Sequence, residues 1–283
     1  MKRKYILLAL LFLPVSFLGA QQTKHLEILQ TSDTHSRIEP IPTTSADRSA
    51  GMGGAARRAA FIKQERTQNP DLLVFDCGDI SQGTPYYNVF RGELEVRMMN
   101  LMGYDAMAIG NHEFDSGLDN MARLFRMAKF PVLCANYDVK GTVLDGLVKP
   151  YVILKRNGLK IGVFGLSPKL EGLVQADKCE GVVYNDPIPV AQKMADLLKQ
   201  KEHCDVVVCL SHLGITSQYP NEPCDEELVR KTNHIDVILG GHSHTFMNKP
   251  AYYLNKDGVT VAVSHTGKNG IYVGKLDLTL TKK

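Results

Sequence analysis

The stretch Gly110-Asn111-His112-Glu113-Phe114-Asp115-Ser116-Gly117 sets the reading of the whole chain. An apolar run, Ala106-Met107-Ala108-Ile109, precedes it and reads as a buried strand. After it, Met121, Leu124, Phe125 and Ala128 fall at i, i+3, i+4 and i+7, the spacing of one helix face. Ser116, with Asp119 three residues on, predicts an N-cap and its capping partner. A strand ends, a polar turn follows and a helix begins. In an open α/β sheet such turns lie at the carboxyl ends of the strands, where ligands bind. Here Asn111 offers an amide oxygen, His112 an imidazole and Asp115 a carboxylate.

Outward from this stretch the pattern recurs. A strand over 26–32 runs into Asp33-Thr34-His35, and Leu72-Leu73-Val74-Phe75 ends at Asp76-Cys77-Gly78-Asp79. A strand over 206–210 leads to Ser211-His212, and one over 235–239 leads to Gly240-Gly241-His242-Ser243-His244. Further strands are expected over 132–134, 259–264 and 271–278, and helices over 55–68, 88–102, 188–200 and 225–231. Asn157-Gly158 between two apolar runs predicts a hairpin. The run Gly51-Met52-Gly53-Gly54 lacks a following GK[ST] and fits no G-x-G-x-x-G, so it reads as a flexible turn before a helix. With no repeat and no linker, one mixed α/β domain over 21–283 is the expectation.

Residues 1–20 stand apart. Lys2, Arg3 and Lys4 form a basic start, an apolar run follows, and Pro14, Ser16, Gly19 and Ala20 supply a break and small residues. That is the pattern of a secretory signal peptide, with cleavage expected after Ala20 and an uncleaved anchor as the alternative. The expected location is outside the cytoplasm, periplasmic or extracellular, with no stable membrane insertion. Those three residues account for the whole excess of 33 basic over 30 acidic groups. The net charge therefore argues for no nucleic-acid polymer as partner. Among six cysteines, Cys77, Cys134 and Cys209 sit in apolar runs as buried thiols, while Cys179, Cys204 and Cys224 leave room for one unassigned disulfide. No C-x-x-C exists, which argues against a thiolate zinc site.

Polar groups thus occupy the same place after five strands: Asp33 and His35; Asp79; Asn111, His112 and Asp115; His212; His242 and His244. Singly, a histidine after a strand is an ordinary structural residue and an aspartate an ordinary N-cap. If five strands of one sheet bring the turns to one edge, however, the gathered carboxylates and imidazoles need a positive charge to organise them. The donors are carboxylate, imidazole and amide without thiolate, which suits Zn²⁺, Mn²⁺ or Fe. They outnumber what one tetrahedral ion uses. Two divalent ions ~3.5–4 Å apart, sharing a carboxylate, would employ them all, and such pairs hydrolyse phosphate esters by activating a shared water.

In order, Asp33-x-His35, Gly78-Asp79, Gly110-Asn111-His112-Glu113, His212 and Gly241-His242-Ser243-His244 resemble the five signature blocks of the calcineurin-like metallophosphoesterases. Gly110 to Asp115 and the tail Tyr272-Val273-Gly274-Lys275-Leu276-Asp277-Leu278 are most similar to the catalytic domain of secreted 5′-nucleotidases and 2′,3′-cyclic-nucleotide phosphodiesterases. The resemblance implies a four-layer α-β-β-α sandwich with two mixed sheets. It implies one metal on Asp33, His35, Asp79 and His244, and another on Asp79, Asn111, His212 and His242. His112 would contact the phosphate and either stabilise charge or protonate the leaving oxygen; Asp115 would orient it, and Glu113 would be structural. The implied activity is hydrolysis of phosphate monoesters, nucleotides foremost, by metal-activated hydroxide. A 2′,3′-cyclic phosphodiesterase and a non-catalytic metal- or nucleotide-binding module are the alternatives. In that group a further C-terminal domain reads the base; the expectation is that this chain lacks it and that a separate chain supplies it. Ser264-His265 stands where such proteins often carry glutamine, and His265 is a further candidate to face the cleft.

Overall fold

Alternation along the strands decides which core each side chain joins. A computed structural model describes residues 23–281 apart from 218, 219 and 221; the leader segment read over 1–20 lies outside the described residues. In chain order it contains β1 (Thr23–Thr31), α1 (Ala55–Gln68), β2 (Leu73–Asp76), α2 (Pro85–Phe90), α3 (Glu93–Met102), β3 (Ala106–Ala108), α4 (Gly117–Met127), β4 (Val132–Leu133), β5 (Tyr137–Asp138) and β6 (Val148–Lys149). The second half contains β7 (Tyr151–Arg156), β8 (Leu159–Leu166), β9 (Val183–Tyr184), α5 (Pro187–Asp196), β10 (Val206–Ser211), α6 (Asp225–Lys231), β11 (Val237–Gly240), β12 (Ala251–Leu254), β13 (Thr260–His265) and β14 (Gly274–Thr281).

Two six-stranded sheets result, ordered β14-β1-β2-β3-β4-β6 and β12-β13-β11-β10-β8-β7. The first is parallel except where β14 pairs antiparallel with β1. In the second, β8, β10, β11 and β13 are parallel, and β7 and β12 flank them antiparallel. Ile28, Leu73 and Phe75 from one sheet meet Val206, Val208 and Leu239 from the other in a core between the sheets. The alternate residues turn outward: Leu29 and Val74 pack under α1, α3 and α4, and Val207 and Cys209 under α5 and α6. These are the four layers α-β-β-α. Phe75 and Phe164 are fully buried, and truncating either to Ala costs about 3–5 kcal/mol.

Four local expectations are corrected. The helix expected over 88–102 is two helices, because Arg91 (φ 49°) and Gly92 (φ 91°) adopt left-handed backbone between α2 and α3. Ser116 precedes α4 but makes no side-chain cap; its Oγ lies 2.6 Å from the Tyr87 hydroxyl instead. Cys179, Cys204 and Cys224 are free thiols, and Cys204 belongs to the core under α5 rather than to a polar surface. The five polar turns do not come from one sheet. Those after β1, β2 and β3 come from the first, and those after β10 and β11 from the second. Face-to-face packing sets both groups of carboxyl ends at a common edge.

Candidate metal centre

At that edge the chain bends in ways L-residues avoid. Asp33, His35, Asp79, His242 and His244 take φ of 51°, 46°, 56°, 71° and 53°. Left-handed backbone at non-glycine residues costs energy and clusters where function over-determines geometry. Gly110 permits the close approach of two turns, since a Cβ there would stand 2.2 Å from Asp79 Oδ1.

The bends gather ligand atoms into three overlapping groups, each within 4.8 Å: Asp33, His35 and His244; Asp79, His212 and His242; and His35, Asp79 and His112. His35 Nε2 faces His244 Nε2 at 3.0 Å, and Asp33 Oδ1 lies 3.5 Å from the latter. His212 Nε2 lies 3.0 Å from Asp79 Oδ2 and 3.9 Å from Asp33 Oδ1. Nδ1 of His212 is 2.6 Å from the Cys77 carbonyl. That contact fixes Nδ1 as a donor and aims Nε2 into the cluster. Backbone amides hold the carboxylates: His242 N donates to Asp33 at 3.1 Å, and His112 N donates to Asp79 Oδ1 at 2.8 Å.

Burial pushes the Asp33 carboxyl up to about 7 against the charge of His212. Burial also pulls His35 down to about 4 and His242 down to about 3, and lowers His244, so these imidazoles are neutral donors. Asp79 is held below the usual carboxylate range: burial would raise it, but His212 beside it prevails. The same pairing carries His212 up to about 10 despite its burial.

The donors fit divalent cations. Buried Asn111 Oδ1 has no hydrogen-bond partner among the described residues. Orphaned buried acceptors are costly unless something else, such as a cation, satisfies them. Without thiolate, the set of carboxylate, imidazole and amide oxygen suits Zn²⁺, Mn²⁺ or Fe²⁺.

His112 stands at the rim. Its Nδ1 meets Asp115 Oδ2 at 2.9 Å, and its ring lies edge-on to His35 with centroids 5.3 Å apart. Burial would lower it, but the Asp115 bond and the Asp79 charge hold it above the ordinary imidazole value. Asp115 stays outside the ligand groups, behind His112.

Sequence reasoning missed what lies beneath. Glu113 takes three backbone amides: Asp79 N at 3.0 Å, Ile80 N at 2.8 Å and Gly110 N at 2.6 Å. His265 does not face the cleft; it is 1% exposed, and its Nε2 pairs with Asp225 Oδ2 at 2.7 Å. Ser211 Oγ donates to the other oxygen of Asp225. Asp225 reads from sequence only as a helix start, and pairing across forty residues leaves no periodic signal.

Comparison with known proteins places this geometry. The family described as calcineurin-like phosphoesterase matches residues 26–246. A venom 5′-nucleotidase of Naja atra is 34% identical over 277 residues, covering 91% of this chain and 51% of that protein. The 5′-nucleotidase of Rattus norvegicus is 32% identical, covering 99% and 50%. The chain spans about half the length of these curated relatives. Among solved structures, a 5′-nucleotidase precursor from Thermus thermophilus superposes with a TM-score of 0.82 at 32% identity, covering 90% of this chain and 51% of that one. The calcineurin-like phosphoesterase YfkN from Bacillus subtilis gives 0.76 at 30% identity, covering 93% and 87%.

Proposed function

The chain belongs to the calcineurin-like phosphoesterase family, and from that premise we propose that it is an exported phosphoesterase using two divalent cations to hydrolyse phosphate monoesters, nucleotides first among them. The observation that carries the reading is the pair of donor groups, Asp33-His35-His244 and Asp79-His212-His242, set side by side at the common edge of two sheets. Asp33, His35 and His244 would hold one ion, and Asn111, His212 and His242 the other, with Asp79 serving both. Cations bound there would supply Lewis-acid polarisation of phosphoryl oxygens and a lowered pKa for water.

The chain's own groups do the rest. Held by Asp115, His112 keeps its ring fixed and its pKa raised above the ordinary imidazole value, which favours a proton on Nε2. That proton is available to the leaving oxygen or to the charge that develops on the phosphoryl group. The Asp115 carboxylate orients and stabilises the imidazolium. Glu113 ties the Gly78–Ile80 and Gly110 turns together, so the carboxylate of Asp79 does not reorganise during reaction. The nucleotide class is supported by the 5′-nucleotidases among the relatives. Export is supported by the composition of residues 1–20; among the described residues no helix is long and apolar enough to cross a membrane.

The test is phosphate release from AMP and a chromogenic monoester, with Mn²⁺ or Zn²⁺ and after chelation, alongside a 2′,3′-cyclic nucleotide. The proposal expects metal-dependent release from the monoesters. Two bound metals with no turnover on any ester would reduce the protein to a binding module.

A further inference from the structure

The glycine run before α1 has a use that the metal centre does not absorb. A cavity of about 320 Å³ opens where α1 begins, lined by Gly53, Gly54, Arg57, Arg58, Phe61 and the segment Gly270 to Val273. Among the described residues no acidic group lines it. Gly54 caps the fourteen-residue helix without any side-chain hydrogen bond, and Ala55 N donates to the Ile38 carbonyl, so the positive end of α1 beside the cavity carries no side-chain acceptor at its cap.

Arg58 supplies the second, independent observation. It is only 7% exposed, yet its Nε and Nη1 have no hydrogen-bond partner among the described residues. Asp76, the acidic group that feels its charge, has its two oxygens engaged by the Thr31 hydroxyl and the Gly78 amide. A buried guanidinium without a partner is expensive, and a planar fork of donors is suited to an oxyanion. Arg57 lines the same space and donates to the Gly51 carbonyl, which orders the loop around the cavity.

We propose that this cavity is an oxyanion site, separate from the metal centre, in which Arg58, Arg57 and the start of α1 bind a phosphate group. The site is wired to the centre through one short segment. Gly270 lines the cavity, and the amide of the preceding Asn269 donates to the Asp33 carbonyl at 2.7 Å. A phosphate held there would order the segment 269–271 and, with it, the backbone of a metal ligand. The ligand is either free orthophosphate, the product of the proposed reaction, or the phosphate of a second ester molecule. The site itself does not rest on the proposed activity.

The experiment uses chelated protein, so that phosphate cannot be drawn to bound cations. Titration of the full chain with orthophosphate, read by ³¹P line broadening and by calorimetry, should saturate at one equivalent. Arg58→Met, which keeps the buried stem and removes the charge, should weaken binding at least tenfold; Arg57→Gln should weaken it less. If Arg58→Met does not fold, the reading passes to Arg57→Gln and to the rise in wild-type Tm with phosphate. A parallel titration with AMP separates the sources: tighter AMP binding identifies an ester phosphate, and orthophosphate alone identifies free product. Absence of saturable binding to the wild type, or equal binding by a folded Arg58→Met, would overturn the proposal.

Discussion

Oε2 of Glu113 accepts the backbone amide of Asp79 at 3.0 Å, so the residue proposed to serve both cations is held by a side chain outside the ligand groups. The same carboxylate receives Ile80 and Gly110. Glu113→Gln replaces one acceptor with an NH₂ that faces buried N–H donors. The expected cost is about 1–3 kcal/mol of stability, with metal affinity lowered about 10–100-fold. Urea midpoints and competition against a chelator measure both, and wild-type values in the variant would show that the three amides are not positioned by this group.

Stability of the chelated protein should fall as pH rises above about 7. His212 moves from 6.5 to about 10 on folding, so its contribution is complete below 6.5 and is lost as pH climbs toward 10. Asp33 moves from 3.8 to about 7, so the proton it holds stabilises the fold at acid pH and that gain disappears by about 7. The lowered His35, His242 and His244 oppose Asp33 below 6.5, and the lowered Asp79 acts only below its ordinary 3.8, so above about 7 the loss of the His212 contribution decides the slope. Thermal unfolding of chelated protein between about pH 7 and 9 should therefore show a declining Tm. Protein loaded with Mn²⁺ should give a flatter curve, because cations replace the protons. Parallel curves would mean that the cluster does not exchange protons for metal.

His112 and Asp115 should separate chemistry from binding. His112→Ala is expected to cost about 10²–10⁴-fold in turnover while metal content stays at the wild-type level. Asp115→Asn removes the group that raises His112, so the alkaline limb of the rate profile should move to lower pH, with a smaller loss at neutral pH. A pH profile unchanged in Asp115→Asn would remove the raised histidine from the account.

Behind the centre, His265 and Asp225 form a buried pair packed so tightly on Gly240 that a Cβ there would meet His265 Nε2 at 2.1 Å. His265→Ala leaves a buried Asp225 oxygen without its partner and should cost about 1–3 kcal/mol. Because Gly240 leads directly into His242, metal retention should fall with it. Loss of stability with full metal occupancy would confine the pair to packing.

Much of this was legible in the chain. The helix over 55–68 and that over 225–231 fall where their apolar spacing puts them, and Asn157-Gly158 turns the hairpin between β7 and β8. Each local rule there agrees with the tertiary structure. The donors were legible because each follows directly on an apolar strand. What local pattern does not carry is which strands share a sheet: period-two alternation is the same whether five turns belong to one sheet or two. Nor does it carry Glu113 as a clamp, since its partners sit thirty-three and thirty-four residues away as well as three. The break at Arg91-Gly92 is hidden by apolar spacing that continues across it.

The central claim is that two cations lie side by side with Asp79 between them. Elemental analysis and anomalous diffraction on metal-replete crystals test it most directly. The account predicts two peaks about 3.5–4 Å apart, one against Asp33, His35 and His244, the other against Asn111, His212 and His242, and both within coordination distance of Asp79. A single peak, or none, in protein saturated with Mn²⁺ or Zn²⁺ would contradict it.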